Sequence, residues 1–103
     1  MSTRKKIAEC IELARNGSYQ LALERGLKIY KKNKEDPFVL DFLGRLYFSI
    51  KNFKSSLFFL DKLSKINLSE PNLLNDLGVC YFELKSYEKA LECFDKAIKI
   101  NSC

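Results

Sequence analysis

Apolar residues recur every three or four positions along most of the chain, and short polar breaks divide them into six stretches. Ile7, Cys10, Ile11 and Ala14 make one such stripe; Ala22, Leu23, Gly26 and Tyr30 make the next. Leu74, Leu77, Gly78 and Tyr81 form another, followed by Tyr87, Ala90, Leu91, Phe94, Ala97 and Ile98. This spacing fits a helical period and not the alternation of a strand. Helices are expected over 3–16, 19–32, from Pro37, over 53–66, from Pro71, and after Lys85-Ser86. Asn16-Gly17-Ser18, Lys51-Asn52 and Lys85-Ser86 read as tight turns, and Lys31 to Asp36 as a linker. Asp36-Pro37 and Ser69-Glu70-Pro71 read as helix starts, because Pro lacks only an N–H that the first turn leaves unused.

The pattern repeats with a period of 34 residues. Gly78 steps back onto Gly44 and then Cys10; Tyr87 steps back onto Phe53 and Tyr19. Leu74 and Leu77 fall on Leu40 and Leu43, Tyr81 on Tyr47, Pro71 on Pro37, and Ala90 on Ser56 and Ala22. The expected units are about 3–36, 37–70 and 71–103, forming one domain over 1–103. The first is the poorest copy, with Lys6 and Glu9 in slots that are Leu in the others. End units are often atypical because one face meets water. Each helix pair cannot bury its stripe alone, so the pairs must stack.

Leu74, Leu77-Gly78, Tyr81, Tyr87, Ala90, Phe94 and Ala97 resemble the tetratricopeptide repeat (TPR) pattern. Leu74 replaces the usual Trp, and Ser102 the usual closing Pro. The resemblance implies an all-α fold: an α-solenoid of three helix-turn-helix repeats, six helices in a right-handed superhelix. It also implies a concave groove lined by the first helix of each repeat. In the family's register that groove takes in Arg4, Ile7, Ile11, Arg15, Phe38, Asp41, Phe42, Arg45, Phe48, Asn72, Asn75, Asp76, Val79 and Phe82. One subtype clamps chaperone-tail carboxylates with Lys, Asn and Arg. Those roles would fall on Ile7, Ile11, Phe42, Asn72 and Asp76, none of them basic, so that subtype does not fit.

The glycines within helices need a reason, since each is about 1 kcal/mol worse than Ala there. Close approach of the paired helix supplies one, with Ser56 and Ala90 expected opposite Gly44 and Gly78. Of the aromatics, Phe42, Phe48 and Phe82 fit either the groove or the core. Phe58 breaks the pattern: it shares a slot with Glu24 and Glu92, which marks an outer face. With Phe59 it is expected to form an exposed apolar patch, a feature that often marks a contact.

Composition narrows the function. The chain has 103 residues, 47% of them hydrophobic and 30% charged, which suits one globular domain. No apolar run approaches the ~20 residues that span a bilayer, and no secretory signal is visible, so a cytoplasmic setting is expected. There is no His. A Ser or Cys nucleophile therefore lacks its usual base, and no phosphate-binding glycine loop is present. Cys10, Cys80, Cys93 and Cys103 lack metal-ligand spacing. Cys10 and Cys80 are expected to fill small buried spaces, and Cys103 to be exposed. No enzyme activity, metal or cofactor is expected. Charge is concentrated at the start: residues 1–34 carry nine Lys/Arg and three Asp/Glu, out of 18 and 13 in the whole chain. That basic end lacks interleaved aromatics, so no specific nucleic-acid site is expected.

The expected function is a protein-interaction module. An apolar-anchored peptide or helix would lie in a groove made by Ile11, Arg15, Phe38, Asp41, Arg45, Phe48, Asn72, Asn75, Val79 and Phe82. The alternative is a self-associating scaffold module, or a fragment of a longer TPR protein. It would dimerise through Phe58 and Phe59 or through Leu91, Phe94 and Ile98.

Overall fold

The computed structural model describes residues 2–66 and 71–101. Six helices are found among them: α1 (Thr3–Arg15), α2 (Tyr19–Lys32), α3 (Pro37–Ser49), α4 (Phe53–Ile66), α5 (Pro71–Glu83) and α6 (Tyr87–Asn101). They follow the expected spans to within a residue. The helix start expected at Ser69-Glu70, the closing position Ser102 and the exposure expected of Cys103 lie outside the described residues.

The helix ends carry the signals that set them. Asp36 accepts a 2.9 Å hydrogen bond from the Phe38 amide, ahead of Pro37 at the first helical position. Ser2 accepts from the Lys5 amide at 3.2 Å, and Asn52 from the Ser55 amide at 3.2 Å. Each helix pair closes with one turn, used three times. Ser18, Asn52 and Ser86 donate backbone amides to Leu13, Tyr47 and Tyr81. The residues before them donate to Ala14, Phe48 and Phe82. Those middle residues are Gly17, Lys51 and Lys85, all left-handed, with φ of 86°, 64° and 66°. This double closure satisfies carbonyls that the helix end leaves open.

Antiparallel pairs α1–α2, α3–α4 and α5–α6 stack in chain order, with α2 against α3 and α4 against α5. α1 also reaches α3 directly. The core is densest around the middle pair, where Val39, Leu40, Leu43 and Leu60 are fully buried. Leu46, Leu63, Leu73 and Leu77 extend it. Cys10 and Cys80 are buried within it, and burial pushes both thiols above their ordinary pKa.

One packing expectation is extended and another corrected. Ser56 approaches Gly44 as expected, donating to its carbonyl at 2.7 Å. The side chains that an added Cβ would meet lie one turn further on: a Cβ at Gly44 would stand 2.5 Å from Leu60 Cδ2, and one at Gly78 2.5 Å from Phe94 Cε1. Phe59, expected on the surface, is only 5% exposed. Its ring lies 5.1 Å from Tyr30 and 5.8 Å from Tyr47, so the preceding repeat helps to cover it. Phe58 alone of the pair faces outward, at 54% exposure.

Candidate functional site

α1 and α3 run side by side, and a groove of about 440 Å³ opens between them. Its floor is Ile7, Phe42 and Leu46, each buried. Its walls carry Ile11 and Phe38, which keep 38% and 46% exposure. Tyr19, the first residue of α2, closes one end with Ala14 and Ser49. Arg4 lies 4.1 Å over the Phe38 ring, a cation–π contact that fixes the ring's position.

The charged residues of the rim have carboxylate or guanidinium neighbours. Arg15 pairs with Glu12 at 3.0 Å. Arg45 pairs with Asp41 at 2.8 Å on its own helix, and reaches Asp76 on α5 at 3.3 Å. Burial raises the Asp76 carboxyl above its usual pKa; the Arg45 guanidinium opposes that shift, and the Asp41 charge adds to it.

Five expected groove residues line this one groove: Ile11, Arg15, Phe38, Asp41 and Arg45. Five do not. Phe48 is half-buried edge-on against Phe53, with centroids 5.6 Å apart. Phe82 sits in the equivalent place against Tyr87, at 5.4 Å, and stays 53% exposed. Asn72 and Asn75 are exposed on α5, and Val79 is half-buried there. Phe42 belongs to the core and also forms the groove floor. Sequence reasoning misses Tyr19, Ala14, Leu46 and Ser49. Tyr19's slot is visible in the repeat, but its reach into the groove depends on how α1 and α2 pack.

The repeat itself explains why the groove stops at α3. Shift Ile7, Ile11 and Phe42 by one period and they become Asp41, Arg45 and Asp76. Between α1 and α3 those slots form an apolar trough; between α3 and α5 they hold the Arg45 ion network.

The second apolar surface is on α6. Leu91 and Ile98 are 61% and 62% exposed, whereas Phe94 is half-buried beneath Gly78. In Leu91's slot, Leu23 and Leu57 pack at the margin of the core. No group of His, Cys, Asp and Glu among the described residues could hold a metal ion, and no described helix is long and apolar enough to cross a membrane.

Comparison with known proteins agrees with this fold. Residues 71–102 match the tetratricopeptide repeat family. The whole stack is a helical solenoid similar to solved structures of MamA, a TPR-repeat protein. A point mutant of MamA superposes with a TM-score of 0.90 at 18% identity, over 97% of this chain and 58% of that one. MamA from Desulfovibrio magneticus RS-1 gives 0.89 at 23% identity, over 98% and 57%. MamA of strain AMB-1 gives 0.86 at 17% identity, over 98% and 55%. The chain therefore spans just over half the length of each. No curated protein matches the sequence. The chain thus has the TPR solenoid fold, and its last repeat carries the family's sequence pattern.

Proposed function

We propose that the chain is a protein-interaction module, working without catalysis, that holds a short apolar-anchored segment of a partner protein between α1 and α3. One observation carries the reading: Ile11 and Phe38 stand exposed on a preformed trough whose floor is already packed. Preformed sites spend little ordering energy on binding, so apolar anchors convert more fully into affinity. The rim charges are largely satisfied within the protein, so they orient the segment without demanding one sign of charge. Peptides selected from a random displayed library on the intact chain should carry spaced apolar residues. They should lose binding to Ile11→Asp and Phe38→Ala while both variants keep their melting temperature. Binding to both variants as tight as to the natural chain would overturn the proposal.

The exposure of Leu91 and Ile98 favours a second reading, self-association through α6. Apolar side chains of this size gain roughly 1.5–3 kcal/mol each when fully buried, and an isologous dimer is the commonest way to bury them. Light scattering under reducing conditions separates the routes. Ile98→Glu should dissolve an α6 dimer and Phe58→Glu should not. A strict monomer at high micromolar concentration would rule out self-association.

A further inference from the structure

A second depression, of about 690 Å³, is formed by α4 with one residue each from α5 and α6. Four lysines line it, Lys54, Lys62, Lys65 and Lys89, against one carboxylate, Asp61. Phe58, the residue that breaks the repeat pattern, stands at its edge, and Tyr81 comes from α5. We infer that this depression is a docking surface for an acidic peptide segment bearing an apolar side chain.

Two of the four lysines, Lys62 and Lys89, lie over aromatic rings. The Lys62 side chain is only 28% exposed, and its ammonium lies 5.6 Å from the Tyr30 ring and 5.7 Å from the Phe58 ring. Its nearest carboxylate, Glu35, is 3.9 Å away on a side chain that is 82% exposed, a weak and screened pairing. Lys89 lies 5.7 Å over the Tyr81 ring. Lys65 pairs with Asp61 at 3.5 Å. Among the described residues, Lys54 and Lys89 form no ion pair. A cationic excess thus surrounds an exposed phenylalanine. Carboxylates supply the complementary charge, and an apolar side chain supplies the partner for Phe58.

The same elements argue for a peptide over single-stranded nucleic acid. Base stacking needs open aromatic faces. Here an ammonium already lies over one face of Phe58 and of Tyr81. Burial also raises the Tyr81 phenol pKa, with the Asp61 charge and, more weakly, the nearby Glu92 charge adding to it, which fits a ring set into the surface.

The test uses three fluorescent probes: a glutamate-rich peptide with one central phenylalanine, the same peptide without it, and a single-stranded oligonucleotide of equal charge. The first should bind tightest, and binding should weaken as salt rises. Lys62→Glu with Lys89→Glu should weaken it by about tenfold or more, the scale expected for charge reversal at a contact. Phe58→Ser should remove the advantage of the phenylalanine. Lys5→Glu with Lys6→Glu, on the basic first helix, should change little. If the first pair disturbs folding, Lys54→Glu with Lys89→Glu substitutes for it, since both side chains are exposed. Unchanged affinity in the charge variants, an oligonucleotide bound as tightly as the peptide, or no peptide binding at low salt would each overturn the inference.

Discussion

Ser56 donates a 2.7 Å hydrogen bond to the carbonyl of Gly44, tying α4 to α3 where no Cβ separates them. The same hydroxyl accepts from the Cys80 thiol at 3.6 Å, so one buried side chain touches the backbone of its own repeat and the first helix of the next. Ala22 and Ala90 occupy its slot in the other repeats, so Ala fits the space. Ser56→Ala is therefore expected to lower stability by about 1 kcal/mol, the net worth of one hydrogen bond. Urea unfolding measures it.

Gly44→Ala and Gly78→Ala are expected to differ. Both gain helix propensity of about 1 kcal/mol. At Gly44 the new methyl meets Leu60, which is fully buried and has nowhere to go. Overpacking of roughly 1–3 kcal/mol should outweigh the gain there. At Gly78 it meets Phe94, a ring on α6 that is half-buried and so has room to shift. Gly78→Ala should come out near neutral, and paired urea titrations compare the two.

Six helices, their turns and the three-fold repetition were readable from the sequence, because a 3.6-residue period and a fixed spacing act locally. The left-handed residue of each turn was readable only at Gly17, since nothing in Lys51 or Lys85 announces φ near 65°. Half of the residues expected in the groove line the α1–α3 trough, and it was the register implied by the TPR resemblance that put them there. The rest depends on contacts between repeats. Arg45 meets Asp76 across 31 residues of sequence, and that pairing keeps the apolar trough between α1 and α3. Phe48 and Phe82 lie just before a turn and so meet the aromatic that opens the next helix. Phe59 is covered by Tyr30 and Tyr47, which no period within α4 could reveal.

Lys51→Gly and Lys85→Gly should each stabilise the fold. An L-residue in the left-handed region is strained by roughly 1–2 kcal/mol. Glycine relieves that strain but loses about 0.5–1 kcal/mol through its freer unfolded chain. The net gain should be under ~1 kcal/mol, visible as a rise of a few degrees in melting temperature. Gly17→Lys should move it the other way.

Asp76 predicts a pH dependence. Its folded-state pKa is raised, chiefly by burial, so the folded chain holds a proton at pH values where the unfolded chain has released it. The Asp76 contribution is then most favourable below the ordinary value of 3.8 and is lost as pH rises through the higher folded pKa. Asp76→Asn should flatten that part of the stability curve. The difference between the variant and the natural chain should shift in the variant's favour across that window, as followed by thermal melts in steps of pH.

Burial and raised pKa values also predict unreactive thiols. Cys10 and Cys80 are buried, and desolvation raises their pKa values and that of half-buried Cys93. Iodoacetamide at neutral pH should label these three only slowly in the folded chain and quickly in urea. Peptide mapping by mass spectrometry reads each site separately.

Capture of a partner segment in the α1–α3 groove is open to direct observation. Amide chemical-shift mapping of the intact chain, titrated with a library-selected peptide, tests it most directly. The largest shifts should fall on Ile7, Ile11, Tyr19, Phe38, Asp41 and Leu46, and Phe38→Ala should abolish them without loss of fold. Shifts confined to α6 or to the Phe58 face, with α1 and α3 silent, would contradict it.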